Sequence, residues 1–533
     1  MVSEKMMLRI RLSVMMFLQF FVWACWMVPI GTYGPETLGL KGAQMGWIFS
    51  TTAIAAIVSP LFVGYIADRL FATEKVLFVL HLVGGICLFL AGLQGKFLPL
   101  FIFLMTSTLA FMPTLALANS LTFRNLDDPA TFPRIAMFGT IGWIISGWIV
   151  GFTLGERSPA FFYLGGVVEV LLGIYALTLP HTPPQAKDSV AGDVLGLGAI
   201  KLLKDPEFLL FTVCAFLIGI PAVYYFVSCN LYLTQIGAPA PTALMTLGQV
   251  CEIVAMATMP FFIARIGLNR ILAIGMVVWA LRYFLFASLS FPLALLAILI
   301  HGFCYVFVYV GSYIFVDTKA PRELRASAQS FIAFLMLGVA WLIGSNLAGR
   351  TNDAYPPVVR GTVSRLVAEK QLPADFTPPA WPTLAKQFDK DGNDVIESAE
   401  TVNVVPKDAT EQGWLTLLRN VTPMVSATTY GHVAAAASGK DIYVNREDYL
   451  ALTRYKWRDI WLWPAIISLV VFAIFALGMP KGNQQKASTS EETPSEASPG
   501  EKDSSPQAQE PPPLPSKQDD VSGESPDAPF NSP

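Results

Sequence analysis

Residues 45–69 read MGWIFSTTAIAAIVSPLFVGYIADR. No charge interrupts the stretch before Asp68 and Arg69. At about 1.5 Å per residue, such a run crosses the ~30 Å hydrocarbon core of a bilayer as a helix, and the charged pair marks the return to water. The pattern recurs along the chain. Twelve helical spans are expected, over 10–32, 43–67, 75–93, 97–122, 134–153, 158–179, 205–233, 240–264, 268–288, 291–316, 325–347 and 457–479. The expected fold class is an all-α membrane protein, because a spanning helix satisfies its own backbone hydrogen bonds where no water can. Composition agrees: 14% of the residues are charged, against about 25% in soluble domains, and mean hydropathy is +0.52.

The short loops set an orientation. One side carries Lys5, Arg9, Arg69, Lys75, Arg124, Arg134, Lys201, Lys204, Arg265, Arg270, Lys319, Arg322 and Arg325, and the other little more than Lys41, Lys96 and Arg157. Basic loops stay in the cytoplasm, so both termini are expected there, in a multi-pass protein of a bacterial inner membrane. The basic N-terminus reads as the flank of a first membrane helix, since no cleavage site is clear. All six cysteines, Cys25, Cys87, Cys214, Cys229, Cys251 and Cys304, lie inside apolar runs, which argues against a disulfide framework and against zinc-ligand spacing.

The chain divides into a first six-helix bundle (1–180), a polar linker (181–204), helices seven to eleven (205–347), a polar insert on the outer face (348–456), a last helix (457–479) and a tail (480–533). The tail is rich in Pro, Ser and acidic residues and lacks the apolar groups to build a core. An echo between Ser59-Pro60-Leu61-Phe62 and Met259-Pro260-Phe261-Phe262 suggests repeated halves.

Few polar groups interrupt the spans. Gln249 and Glu252 are three apart and share a face of the eighth helix. A carboxyl at that depth costs several kcal/mol unless it is paired, protonated or hydrated, which makes Glu252 a candidate proton carrier. An amide both donates and accepts, so Gln249 suits a base edge or a sugar hydroxyl. A structural glutamate bonded to a neighbouring helix is the alternative. Thr140 and Trp143 share a face of the fifth helix in the same way, and an indole can stack on a base or simply pack. His81, Glu169, Arg282 and His301 are the other ionisable residues in spans, with both histidines near expected helix ends and Glu169 an available partner for Arg282.

Gly64-Tyr-Ile-Ala-Asp68-Arg69 resembles the signature loop of the major facilitator superfamily, where a small residue allows close helix approach and the Asp-Arg pair latches the cytoplasmic gate. Several segments then resemble the bacterial nucleoside:proton symporters. They are Phe17-Leu-Gln19-Phe20 with Trp23 and Trp26, Met112-Pro113-Thr114-Leu115 with Asn119, Gly139-Thr140-Ile-Gly142-Trp143, Gln249-x-x-Glu252, Gly311-Ser-Tyr-Ile-Phe-Val-Asp317, and Arg325-Ala-Ser-Ala-Gln329. The resemblance covers most of 6–347 and the last helix. It implies two six-helix halves, a substrate site including Gln249, Glu252, Thr140, Trp143 and Asn119, and Asp68 and Arg69 as gate; the role of coupling acid falls to Glu252 from its place within a span, since the family's coupling aspartate is absent. Four positions depart from the family pattern. Ala136 stands for an arginine, Val223 and Phe226 for a glutamine and an asparagine, and Val306 for an aspartate. Tyr305 lies near the lost groups and joins the expected site.

The insert contains Phe388-Asp389-Lys-Asp391-Gly-Asn393-Asp394-Val395-Ile396-Glu397-Ser-Ala-Glu400, which resembles an EF-hand loop. Asp389, Asp391, Asn393, the Val395 carbonyl, Glu397 and Glu400 fall at the oxygen-ligand positions for calcium. Asp394 stands where such loops carry glycine. Residues 439–449 look like a degenerate partner loop, expected to pair through Val395-Ile396 and Tyr443-Val444. An acidic surface turn is the alternative.

The expectation is proton-coupled import of nucleosides, or of a related small polar metabolite, by alternating access. A transporter-derived receptor with a calcium-binding outer domain and no flux is the alternative. The expected partners are substrate, protons and lipid, with no nucleic acid, no organic cofactor and a monomeric state. No Ser-His-Asp, paired-metal or P-loop arrangement points to an enzyme.

Overall fold

The structure, a computed structural model, describes residues 4–479 apart from 70, 185–194, 374–375, 377, 380, 393–394, 398–404 and 427–441, and apart from the side chains of 60–69, 382, 397, 421–426, 442–443 and 447. Each of the twelve apolar runs is helical. In chain order they are α1 (Glu4–Thr37), α2 (Gly42–Arg69), α3 (Thr73–Ala91), α4 (Phe97–Asn125), α5 (Pro129–Leu154), α6 (Ala160–Ala176), α7 (Pro206–Gln235), α8 (Pro241–Ile266), α9 (Leu268–Ala287), α10 (Phe291–Leu299 with His301–Lys319), α11 (Arg322–Ala354) and, after the insert, α16 (Trp457–Gly478). Among the described residues nine helices are long and apolar enough to cross a membrane, and α10, bent by 42° at its break, makes a tenth. The apolar α6 is 17 residues long. The protein is therefore a mostly helical, membrane-embedded, multi-pass protein.

Local chemistry explains where the helices start and bend. Asp128 and Asp205 cap α5 and α7, each carboxylate accepting a backbone N–H two residues on, with proline in the next position. Pro113, Pro221 and Pro260 interrupt α4, α7 and α8. A proline removes its own backbone donor and so frees the carbonyl four residues before it. The Pro221 carbonyl accepts from the Tyr283 hydroxyl at 2.6 Å, which ties α7 to α9.

The two halves meet at one end. Gly42 and Gly349 sit so close that a Cβ on either would strike the other's carbonyl oxygen, and this lets α2 press on α11. Asp353 then accepts from the backbone N–H of Gly42 at 2.8 Å and of Ala43 at 2.7 Å, capping α2 from the other half. This is why α11 runs on to Ala354, past the expected end at residue 347: its polar last turn has work at the N-terminus of α2. Nearby, Thr32 donates to Asn230 at 2.6 Å, Asn230 donates to Thr242 at 3.0 Å, and the Trp148 indole donates to Thr246 at 3.2 Å.

The insert has its own small core. Its helices α12 (Val359–Ala368), α13 (Trp381–Phe388), α14 (Ala409–Ser426) and α15 (Arg446–Thr453) surround a two-stranded antiparallel ribbon of β1 (Val395–Glu397) and β2 (Ile442–Asn445). Val395 pairs with Asn445, and Ile396 with Val444. Trp381, Phe388, Ile396, Leu418, Val444 and Tyr449 are buried together. The insert is anchored at both ends: Arg360 lies 3.4 Å from Asp353, and Gln235 accepts from the Trp457 indole at 2.8 Å.

Candidate functional site

A small cavity of about 10 Å³, room for about one water, is lined by Trp143 and Gly147 of α5, Tyr225 and Phe226 of α7, and Thr242, Met245, Thr246 and Gln249 of α8, with Ala24 and Val28 of α1. Two expected residues thus share one wall. Trp143 also packs edge-on against Trp23, 5.7 Å between ring centroids. Gln249 is half-buried, and its side-chain oxygen has no hydrogen-bond partner among the described residues. A buried amide acceptor without a partner costs about 1–3 kcal/mol, so it suits a polar ligand or water.

Glu252 lies one turn beyond Gln249. Its Oε1 is 2.9 Å from His301 Nε2, and the imidazole is 1% exposed. His301 Nδ1 is 2.8 Å from Arg282 Nη1. The Arg282 Nε donates to the Ala297 carbonyl at 3.0 Å, and the guanidinium lies 3.8 Å from the centre of the Tyr225 ring. Carboxylate, imidazole and guanidinium therefore form one chain from α8 through α10 to α9, with the imidazole and guanidinium buried and the carboxylate partly exposed. Two glycines make it reachable: Gly248 rests against the His301 ring, and a Cβ at Gly302 would strike the Cys251–Glu252 backbone. Side chains at these two positions would push α8 and α10 apart.

The other expected site residues distribute unevenly. Tyr305 packs on His301 at 5.6 Å and on Tyr309 at 4.7 Å, so it joins the cluster. Thr140 is half-buried one turn before Trp143. Asn119 is exposed on α4 and nothing brings it to the others. Asp68 and Arg69 end α2, with side chains outside the described residues.

Glu169 does not meet Arg282, contrary to the pairing considered from sequence. It lies 3.6 Å from His81 in the first half, with both side chains 1% exposed. Nor is His301 at a helix end in the ordinary sense, since it opens the second piece of the broken α10, inside the span. Of the departing positions, Phe226 lines the cavity, Val223 packs against Gly344 of α11, and Val306 is buried with Ala255, Met259 and Ile271. On α10, His301 lies more than a turn before the apolar Val306.

In the insert, Asp389 accepts from the Gly392 N–H at 2.8 Å, and Gly392 takes a φ of +73°, which glycine adopts without strain; Asp394, at the position where such loops turn sharply, lies outside the described residues. Asp389, Asp391 and Val395 are described, while Asn393, Glu400 and the Glu397 side chain lie outside the described residues. Among the described residues no group of three or more His, Cys, Asp or Glu is placed to hold a metal. The loop's donor set is all oxygen, which suits a hard cation.

A family model described as nucleoside H+ symporter matches residues 6–361. The chain belongs to the nucleoside H+ symporter family. It is 40% identical over 371 residues to a putative nucleoside transporter, YegT, of Escherichia coli K12, covering 66% of this chain and 87% of that protein. To a xanthosine permease of the same organism it is 32% identical over 372 residues, covering 66% and 89%. Among solved structures, nucleoside transporter NupG superposes with a TM-score of 0.62 at 28% identity, covering 65% of this chain and 91% of that one. The family is one of transporters, not enzymes.

Proposed function

We propose that the protein imports nucleosides together with protons, by alternating access, across a bacterial inner membrane, as a monomer with twelve spans and both termini cytoplasmic. The observation that carries this reading is the unpartnered Gln249 side-chain oxygen at an aromatic-walled cavity, one turn from the partly exposed Glu252. An indole to stack on a base, an amide to bond its edge and a carboxyl to take a proton are the parts such a symporter needs. Trp143, Gln249, Thr140 and Tyr305 take the substrate role, with Asn119 expected to approach only as the halves move. Glu252 takes the proton, and Asp68 and Arg69 serve the inner gate. The contacts of Asp353 with α2 and of Thr32 with Asn230 close the outer side in this state. The names of the relatives, a permease and two transporters, favour flux over a receptor that moves nothing.

The test is uptake of labelled nucleosides into a transport-deficient bacterium. Accumulation should require the proton gradient and drop at least about tenfold in Glu252→Gln, the equivalent of one charge-assisted hydrogen bond. No uptake above empty vector for any nucleoside removes the substrate. Uptake indifferent to the gradient and to the substitution removes the coupling.

For the insert, the paired strands and the Asp389–Gly392 turn support an EF-hand-like pair in which Asp389, Asp391, Asn393, the Val395 carbonyl, Glu397 and Glu400 hold calcium. Calcium would tie the loop between α13 and α14 into one conformation. Calorimetry on the full-length protein should give heat in the range of about 0.1–1 mM calcium known for extracellular modules. That heat should vanish in Asp389→Asn/Glu400→Gln. Silence in the unmodified protein ends the idea.

A further inference from the structure

We infer that His301 is a neutral bridge of fixed tautomer, a positioning residue that carries the Arg282 charge to Glu252 and does not itself carry the proton. This rests on the reading of Glu252 as the proton-loading acid. A guanidinium stays protonated and only donates hydrogen bonds. With Arg282 Nη1 2.8 Å from His301 Nδ1, the Nδ1 lone pair must accept. A neutral imidazole that accepts at Nδ1 bears its hydrogen on Nε2. That nitrogen lies 2.9 Å from Glu252 Oε1, so the ring donates to the carboxylate. An imidazolium would turn an N–H toward the guanidinium N–H and set two positive charges face to face in a buried site.

The rest of the surroundings leave this polarity intact. The groups facing the chain are Cys251 of α8, Tyr225 and Cys229 of α7, Tyr283 of α9, and Cys304 and Tyr305 of α10. All are thiols or phenols, and among the described residues no second carboxylate lies within ion-pair distance of Arg282 or His301. With Glu252 ionised, the chain is net neutral. On loading, a hydronium gives its proton to the carboxylate, an O–H bond forms, a water leaves, and one positive charge stays on Arg282 over the Tyr225 ring. Tyr225 also lines the cavity, so the ring that supports the arginine is a wall the ligand meets. The bridge thereby connects the protonation state of Glu252 to the substrate site.

Two measurements test the bridge. The chain has four histidines, so 15N-histidine spectra of the full-length protein in nanodiscs can be assigned by the signal that His301→Gln removes. At neutral pH that signal should be the neutral Nε2–H tautomer, and an imidazolium or Nδ1–H signature overturns the inference. A glutamine can accept from Arg282 through its oxygen and donate to Glu252 through its nitrogen. His301→Gln should therefore keep gradient-driven uptake within about threefold of wild type, while His301→Leu, checked for intact folding by monodisperse elution, loses about tenfold or more, since it strands a charged hydrogen-bonding group. Equal loss in both variants, or none in either, counts against the bridge. Wild-type protein that moves no nucleoside sinks the transport reading but leaves the spectroscopic result standing.

Discussion

His81 in the first half and His301 in the second are each buried beside a glutamate of a spanning helix, and the two pairs are built differently. In the first half, His81 and Glu169 lie 3.6 Å apart between α3 and α6, and among the described residues no hydrogen-bond donor reaches either carboxylate oxygen. In the second half, Glu252 is 20% exposed, hydrogen-bonded to His301, and backed by Arg282. Burial alone does not make a proton site. A carboxyl with no donor and no fixed cation gains little from its surroundings, so swapping it for a neutral isostere changes little. The second pair has what the first lacks, an imidazole bonded to the carboxylate and a fixed cation behind it.

The contrast can be broken at several points. Arg282→Leu should have the largest effect, because it leaves the partly exposed carboxylate and the buried imidazole without their cation. Removing one partner of such an arrangement costs about 3–5 kcal/mol. The expected result is lost uptake with a clear fall in thermal stability, measured on purified protein; wild-type stability would dissolve the contrast. Glu169→Gln should leave uptake within about twofold and stability unchanged or raised, since the side chain is already unpartnered. Uptake that collapses in this variant would give the first-half pair the role proposed for Glu252. The smallest effect belongs to an exposed pair. Lys5 lies 2.9 Å from Asp127, and its hydrogen bond and charge hold that carboxyl below the ordinary aspartate range. The sign follows from linkage: stability from this contact is present at neutral pH and is lost as acid protonates the carboxyl. Asp127→Asn should lower the melting temperature slightly at neutral pH and not at all in strong acid, and a large shift would mean that exposed pairs cannot serve as the baseline.

Much of the fold was legible because the bilayer imposes a single rule on every span. Runs such as 205–233 and 268–288 appear as α7 and α9 with ends moved by a residue or two. The Gln249–Glu252 face and Trp143 were legible from spacing three, and two of these line the cavity. His301 was not legible as part of the site. A lone histidine in an apolar run looks the same whether it packs or bridges, and only the glycine contacts that draw α8 and α10 together bring it to Glu252. Glu169 was misdirected toward Arg282 because opposite charges invite pairing on paper, while the fold places them in different halves. The α11 extension to Ala354 also needed the structure, since a polar Arg350–Asp353 turn reads as loop until its partner at the N-terminus of α2 is known.

Taken alone, the amino-acid sequence determined that the chain lives in a membrane, where its helices run, and which few polar groups are buried in them. Those follow from hydrophobic transfer and from backbone groups that must be satisfied within each helix, both local along the chain. Which buried groups touch was decided by the tertiary structure. A hydrogen bond of 2.9 Å between Glu252 and His301, 49 residues apart, depends on two glycines that allow helices to approach closely. No pattern within a single helix encodes that distance.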